Sequence, residues 1–396
     1  MRAMVQVAFM DEGSEPTAAY AAARWRENPR ISPSSWRVAQ GVTLGKVVCD
    51  GRAGWAGWNE AFAVGCNGLL VRAEDVARVA ARQDGMVVIV EAAAGEVVAG
   101  ADVVLWRVQE GVEIDFAPLE AAVRAGEIRF YGVAMAADGD LGAWLAQADD
   151  AAARVWGRRK RSQLRAVMVQ VNVTDGRAWQ VAESRHKDEK VSVLELAARL
   201  GLLVVVEAAT RWPTALGVVD VGLAVGRVTD SVMAPLVLVA EAEQALRQHM
   251  VWPEVDGTPL FGVVPLLAAG VPPWPTRAAW RGWMREVWPQ VAAVWEGEAR
   301  ASSYMAAWRG LLETGEDLAA VAEARTAEAL LDAVRARVPA VWRDVMAQAL
   351  AWGMASGLPG VTAVAGDLTN DSGCTALRQA LERPDIVDIE KVCAGP

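Results

Sequence analysis

Charged residues directly follow several apolar segments of this sequence, and they are the residues best suited to chemistry. Arg72 follows GLLV, Glu91 follows MVVIV, Arg107 follows DVVLW and Glu207 follows LLVVV. A charge at the end of a buried segment is unfavourable unless it is paired. One hypothesis is a polar pocket in which the two arginines hold a carboxylate or phosphate and one of the two glutamates acts as the base. The alternative is a set of compensating ion pairs, or simple solvation at a rim.

Further polar residues fall at or near the ends of such segments and are predicted to contact a ligand. Gln170 ends AVMVQ, Asn172 follows it, and Arg211 comes shortly after the last segment. Amide and guanidinium groups suit the orientation of a polar or anionic small molecule. We therefore predict that these three residues bind the substrate. The remaining candidates at segment ends are Lys46, Asp50 and Glu74.

The elements that would position these residues alternate regularly. Within Asp102–Val133, a β-branched run is followed by apolar residues at helical spacing, a glycine where a helix would end, and a second apolar run. A strand, a helix and a strand within about 30 residues form a βαβ unit, which builds parallel sheets. Seven strands follow one another from Val42 onward. This alternation predicts an α/β fold, either a doubly wound sheet or a closed eight-strand barrel.

The composition argues against several classes of protein. The chain has 396 residues, of which 53% are hydrophobic, and a formal net charge of −10. So acidic a protein is a poor binder of nucleic acid or of an anionic membrane surface. Its four cysteines include no C-x-x-C pair, so we expect neither a metal site nor a disulfide scaffold. No signal peptide or membrane-spanning stretch is visible, which predicts a cytoplasmic location.

Two parts of the sequence depart from the alternation. Residues 1–35 are predicted to be an N-terminal extension, and residues 210–339 a mainly helical insertion between the seventh and eighth strands. The alternating region then comprises residues 36–209 and 340–396. The insertion is rich in tryptophan from Trp274 to Trp308, mostly at helical spacing. These tryptophans form the core of a helical subdomain or the face by which it docks on the barrel. The alternative is an interface for a protein partner or a second copy of the chain, or a surface over an apolar ligand.

Several segments resemble the aldo-keto reductase family, both in residues and in order. DVVLW followed by FAPLEAAVRAGEIRFYGVA is similar to that family's fourth strand, its helix and its fifth strand. AVMVQVNVTD resembles the sixth strand, and LELAARLGLLVVVEA resembles the helix and strand that follow. AFAVGCNGLLVRAEDV and MAQALAWGMASGLPGVTAVAGDLTNDSGCTALRQAL resemble the regions of the second and eighth strands. The resemblance covers about residues 36–209 and 340–385 and implies a (β/α)8 TIM barrel of the aldo-keto reductase type.

The catalytic residues of that family are not matched. The resemblance implies hydride transfer from NADPH to a carbonyl, with Tyr as the acid, Lys and Asp to tune it, and His to orient the substrate. The corresponding positions hold Leu70 or Val71 for Asp, Val76 for Tyr, Glu91 or Ala92 for Lys, and Arg107 for His. A phenol acts as an acid near neutral pH only where a neighbour lowers its pKa. The chain is therefore predicted to lack this chemistry.

The residues that would hold the cofactor differ as well. Ala134 and Met135 replace the Ser-Asn pair that binds the nicotinamide amide, and Glu207 replaces a stacking Tyr. Asp367 and Asp371 stand where the family has Ser, Lys or Arg around a 2′-phosphate, and two carboxylates repel a phosphate. We therefore expect no cofactor, with bound NADPH as the alternative.

Three functions remain open. The first is an aldo-keto-reductase-like barrel repurposed for non-redox chemistry, or for binding a small anionic or polar metabolite. It predicts that Arg72, Glu91, Arg107 and Glu207 converge on one cavity. The second is a non-catalytic interaction or assembly subunit that uses the Trp-rich insertion, with a homo-oligomer as one form. The third is an atypical NAD(P)H-dependent reductase, which predicts that NADPH binds.

Overall fold

The computed structural model describes most of the chain in two compact units. The described residues are 36–39, 42–53, 61–62, 65–79, 86–109, 111–157, 161–171, 176–186, 189–214, 217–222, 234–255, 258–259, 262, 274–358, 360–368, 371–383 and 392. The barrel unit contains those up to Ala209 and from Val338 onward. The helical unit contains those between Thr210 and Arg337. The predicted extension, residues 1–35, lies outside the described residues.

Eight parallel strands close into a barrel in the first unit. They are β1 (Val47–Asp50), β2 (Gly68–Arg72), β3 (Val87–Ala92), β4 (Val103–Arg107), β5 (Phe130–Met135), β6 (Leu164–Gln170), β7 (Leu203–Glu207) and β8 (Ala363–Gly366). Neighbours in sequence pair in parallel, and β8 pairs with both β7 and β1. The closed (β/α)8 barrel predicted from the sequence is confirmed.

The helices divide between the two units. In chain order they are α1 (Ala117–Ala125), α2 (Leu141–Trp156), α3 (Val193–Leu200), α4 (Ala234–Arg247), α5 (Arg277–Trp295), α6 (Ser302–Arg335), α7 (Ala347–Ser356) and α8 (Asp371–Leu381). Helices α4 to α6 belong to the helical unit and the others to the barrel unit. Short helical segments cover Gly51–Ala53, Ala73–Val79, Arg177–Gln180, Ala299–Ala301 and Ala340–Trp342. Two-stranded antiparallel sheets pair Trp36–Ala39 with Val42–Gly45, Ser184–His186 with Glu189–Val191, Arg211–Thr214 with Gly217–Asp220, and Glu254–Val255 with Thr258–Pro259.

The strand predicted to begin at Val42 does not run unbroken into the barrel, because the chain interrupts it at Lys46. Residues Val42–Gly45 belong to an antiparallel pair, and only the residues after Lys46 join the barrel. Lys46 is fully buried, and its Nζ donates to the carbonyls of Ala380 at 3.4 Å and Arg383 at 3.2 Å. A cation is favourable beside the carbonyls at a helix C-terminus, so Lys46 ties β1 to the end of α8.

The pleat of the strands fixes which side chains face the barrel interior. Interior apolar residues include Val48 on β1, Leu70 on β2, Ile89 on β3, Leu105 on β4 and Val205 on β7. Side chains of one strand alternate between its two faces. The residue two positions later on each strand therefore has the same inward parity. Those residues are Asp50, Arg72, Glu91, Arg107 and Glu207.

The helical unit is built around aromatic side chains. Trp280 and Trp295 of α5 and Trp308 of α6 are buried in one core, together with Trp274. Glu323 of α6 accepts hydrogen bonds from the backbone nitrogens of Asp220 and Arg277 and from Arg277 Nε. The tryptophan-rich spacing of the sequence thus corresponds to internal packing of this unit.

One glycine allows β5 and β6 to approach closely, and its replacement tests the barrel. The register of these strands shifts at Gly132, where a Cβ atom would lie 2.2 Å from the Ala166 carbonyl oxygen. We expect Gly132→Ala to lower the free energy of unfolding by about 1–3 kcal/mol, because a strand backbone must move. Urea denaturation followed by far-UV circular dichroism measures this change.

Gly310→Ala is the matched control for this substitution. Gly310 lies within α6, and a Cβ there would have no atom within 4 Å. This change is expected to be neutral or to stabilise by about 0.5–1 kcal/mol, because alanine favours the helix. An unfolding curve for Gly132→Ala that matched the wild type would contradict the close pairing of β5 and β6.

Candidate functional site

Five charged side chains form a connected network at the carboxyl ends of the barrel strands. We call this network the ion-pair ring, and its members are Asp50, Arg52, Glu91, Arg107 and Glu207. Active sites of barrels of this architecture lie at this same end of the strands. The ring is therefore the candidate functional site.

Arg52 is bonded to all three carboxylates of the ring. It lies in the helical turn directly after β1, and its Nε and Nη2 lie 2.8 and 2.7 Å from the two oxygens of Asp50. Its Nη1 lies 2.5 Å from Glu91 Oε2 and 2.8 Å from Glu207 Oε2. One guanidinium group thus joins carboxylates that three different strands supply.

Arg107 completes the ring from β4. Its Nε donates to Glu91 Oε1 on the adjacent strand, and its Nη2 lies 3.2 Å from Glu207 Oε1. Each glutamate therefore accepts one bond from Arg52 on one oxygen and one from Arg107 on the other. Charge-assisted bonds of this kind are among the stronger ones in proteins, and they fix both carboxylates in place.

The ion-pair ring crosses the mouth of the barrel. Strands β3 and β7 are four strands apart in either direction around the closed sheet, so Glu91 and Glu207 project from opposite walls. Arg52 and Arg107 both bridge these two glutamates. The space between the opposite walls is thus spanned by ion pairs.

The charges of the ring are stabilised by one another. Burial raises the pKa of the Glu91 carboxyl, but the bonds and charges of Arg107 and Arg52 outweigh this and lower it overall. The bond to Glu91 raises the pKa of Arg107. Burial lowers the pKa of Arg52, and its bonds to Asp50, Glu207 and Glu91 more than compensate. Glu91 is ionised at neutral pH, and its lowered pKa makes it a weak proton acceptor.

Arg72 and Gln170 share the barrel mouth but not the ring. The Arg72 side chain is 59% exposed, and its ionic partner among the described residues is Glu74 at 3.9 Å. Gln170 is exposed and stands beside Glu207 in the register of β6 and β7. Of the four residues expected to converge, Glu91, Arg107 and Glu207 do so, and Arg72 makes no described bond to them.

The other two predicted ligand-binding residues are not among the described residues of the barrel unit. Arg211 belongs to the helical unit, where it pairs in register with Asp220 in a two-stranded sheet. Asn172 lies outside the described residues. Among the described residues of the barrel unit, the candidate site is therefore formed by strand-end residues and by one residue of the turn after β1.

Spacing in the sequence misses Arg52, which is bonded to more members of the ring than any other residue. It follows β1 instead of ending it, so the rule of a charge at the end of an apolar run does not select it. The available signal is an arginine two residues after Asp50, in a short turn that begins with Gly51. Such a turn can return a long side chain over the strand that precedes it.

Cysteine nucleophiles, metal-binding groups and membrane-spanning helices were also sought among the described residues. Burial raises the pKa of the Cys66 thiol to about 12 and also raises the pKa of Cys49, so neither is a ready nucleophile. No group of three or more His, Cys, Asp or Glu side chains in the described ranges could hold a metal ion. Over the same ranges, every helix is too short or too polar to cross a bilayer.

Several of the solved structures that the chain resembles are aldo-keto reductases. One from Bacillus halodurans, known in holo and apo forms, is 12% identical, with a TM-score of 0.42, and the match covers 91% of this chain and 96% of that protein. One from Klebsiella pneumoniae in complex with NADPH is 13% identical, with a TM-score of 0.32, over 54% of this chain and 78% of that protein. No protein-family model and no curated protein matches the sequence. Likenesses this distant concern the barrel fold and carry no information on activity.

Removal of Arg52 tests whether the ring stabilises the barrel. In Arg52→Met, Asp50, Glu91 and Glu207 would lose their shared partner, and breaking a buried ion pair commonly costs about 3–5 kcal/mol. Because Asp50 is 26% exposed, we expect a smaller loss, of about 2–3 kcal/mol, in the free energy of unfolding. The matched control is Arg72→Met, which should change it by less than about 0.5 kcal/mol. Equal losses in chemical denaturation would show that the ring has no special role.

The lowered pKa of Glu91 also predicts how stability depends on pH. A carboxyl whose pKa is lower in the folded state stabilises the fold above its ordinary value of about 4.5, and this contribution is lost as the pH falls. Between about pH 5 and pH 3, the free energy of unfolding should therefore fall more steeply for the wild type than for Glu91→Gln. Glu74→Gln, at an exposed carboxylate, should keep the wild-type slope. Parallel profiles for all three proteins would rule out the predicted linkage.

Proposed function

We propose that this barrel binds a small polar or anionic metabolite at its mouth, for non-redox chemistry or for binding alone, and does not transfer hydride. The observation that carries the proposal is the pair of guanidinium groups joining Glu91 to Glu207 across the mouth. The resemblance in sequence places a Lys at Glu91 or its neighbour and a His at Arg107. Neither of the present residues supplies the chemistry of those groups.

The described tyrosines support the same proposal. Tyr131 is buried, and its hydroxyl donates to Glu120 at 2.7 Å. Burial and the Glu120 carboxylate raise the pKa of Tyr131, and burial raises that of Tyr304 in the helical unit. A phenol that delivers a proton during hydride transfer needs a pKa shifted in the other direction.

The residues at the expected cofactor positions do not fit NADPH. Ala134 and Met135 are buried apolar residues and have no side-chain donor for a nicotinamide amide. Glu207 is engaged by two arginines and carries a negative charge where an aromatic ring would stack. After β8, Asp367 places a carboxylate where a 2′-phosphate needs cations. We therefore derive no step that uses this cofactor.

The outer surface of the ion-pair ring offers groups that a polar ligand could bind. The Arg107 side chain is 43% exposed, and its described bonds to the ring use Nε and Nη2, whereas a guanidinium has five N–H donors. Gln170 is exposed near Glu207 and can both donate and accept. The ring contains one more carboxylate than guanidinium groups. This favours a neutral or singly charged ligand over a multiply charged anion.

Two binding measurements test the proposal together. A fluorescence titration with NADPH should show no saturable binding. A thermal-shift screen should find stabilisation by lactate, glycerol or a related small polar compound. For any such compound, Gln170→Leu should weaken binding about fivefold or more, because a hydrogen bond is lost. Gln180→Leu, at another exposed glutamine of the barrel unit, is the matched control and should bind as the wild type does.

Two outcomes would contradict the proposal. Saturable NADPH binding together with NADPH oxidation by a carbonyl compound would instead support an atypical NAD(P)H-dependent reductase. Equal weakening by Gln170→Leu and Gln180→Leu would place the ligand away from the barrel mouth.

A further inference from the structure

Polar side chains at the carboxyl ends of the barrel strands form two layers. Side chains inside a barrel of this kind are arranged in layers that alternate strands supply. The odd-numbered strands β1, β3 and β7 supply the carboxylates of the ion-pair ring, which are buried or half-buried. The even-numbered strands β2, β4, β6 and β8 lead to exposed residues, which we call the outer layer: Arg72, Arg107, Gln170 and Asp367.

Asp367 belongs to the outer layer although it lies one residue beyond β8. Ala363 and Ala365 of β8 are part of the apolar core inside the barrel. Because the pleat has a period of two residues, Asp367 has the same inward parity. Burial raises the pKa of the Cys49 thiol on the adjacent strand β1, and the charge of Asp367 adds to this rise. This carboxylate is therefore close to the barrel wall.

The outer layer carries opposite charges on opposite walls of the barrel. Strands β4 and β8 are four strands apart in either direction around the closed sheet, so Arg107 and Asp367 project from opposite walls. Arg72 on β2 adds a second guanidinium group on the Arg107 side. Gln170 on β6 adds an amide on the Asp367 side. One half of the mouth is thus cationic, and the other half offers hydrogen-bond acceptors, one of them anionic.

The balance of charge at the mouth limits what this polarised layer can bind. The ion-pair ring and the outer layer together contain four carboxylates and three guanidinium groups. A ligand that carries only a carboxylate is attracted by one wall but repelled by the excess of negative charge. A ligand with a cationic and an anionic group is attracted by both walls and adds no net charge.

We propose that the ligand of the barrel mouth is a small zwitterion, an amino acid or a related compound with one ammonium and one carboxylate group. Its carboxylate pairs with the guanidinium groups of Arg72 and Arg107, a planar match of charge and geometry. Its ammonium group donates to the Asp367 carboxylate and to the amide oxygen of Gln170. This inference rests on the function proposed for the barrel mouth and names the class of its ligand.

A suitable probe is 4-aminobutanoate, with butanoate and butylamine as compounds of similar length that each carry one of its two charges. In isothermal titration calorimetry at neutral pH, 4-aminobutanoate should bind at least about tenfold more tightly than either of the other two compounds. Each single-charge compound can engage only one wall of the mouth. The comparison therefore measures whether both walls act on one ligand.

Three substitutions assign the two walls. Asp367→Asn should weaken the binding of 4-aminobutanoate about tenfold and leave that of butanoate unchanged or stronger, because only the ammonium group loses its partner. Arg72→Met lies outside the ion-pair ring and should weaken the binding of both carboxylates about threefold or more. Asp150→Asn is the matched control, because it removes the same charge from an exposed position on α2. It should bind all three compounds as the wild type does.

The results also separate this inference from the function on which it rests. Equal affinities for 4-aminobutanoate and butanoate, or equal effects of Asp367→Asn and Asp150→Asn, would overturn the zwitterion. So would a failure of all three compounds to bind. The proposed function would survive any of these results if lactate or glycerol bound in a manner sensitive to Gln170→Leu. NADPH binding with oxidation by a carbonyl compound would overturn both.

Discussion

Glu91 and Glu207 project from opposite walls of the barrel, and both arginines of the ion-pair ring are held by these two carboxylates. Each would be costly to bury alone, and together they would repel each other. Arg52 and Arg107 each donate to both glutamates, so each of the four carboxylate oxygens accepts one hydrogen bond. The interactions across the mouth of the barrel are therefore attractive. The apolar layers below the ring, such as Ile89 and Val205, are fully buried. The ion-pair ring thus lies between these buried apolar residues and the partly exposed mouth of the barrel.

Much of this site could be predicted from the sequence, because the pleat of a strand has a period of two residues. An apolar run that ends in a charge places that charge on the inner face, as at Glu91, Arg107 and Glu207. Spacing cannot show which strands stand opposite each other, and it passes over a side chain that returns from a turn, as Arg52 does. Arg72 has the correct parity, but Arg52 already engages the carboxylates of the strands on either side of β2, Asp50 and Glu91. Arg211 was predicted to bind a ligand because it closely follows β7 in the sequence. The structure assigns it to the helical unit, and this division of the chain depends on tertiary packing.

Buried carboxylates in both units accept several hydrogen bonds. In the barrel unit, buried carboxylates have several donors each, as at Glu120, which accepts from Tyr131, Trp156 and the backbone of Gln163. In the helical unit, Glu323 accepts from the backbone nitrogens of Asp220 and Arg277 and from Arg277 Nε. Hydrogen bonds of this kind inside a protein fix the groups that they join.

The last barrel strand, β8, is only four residues long, yet it alone joins β7 to β1. During synthesis, β8 is translated after the entire helical unit. During that part of synthesis the nascent sheet has two open edges, and open edges are sites of mispairing and aggregation. The helical unit has a core of its own. The barrel sheet of a new chain therefore cannot close until this whole unit has been synthesised.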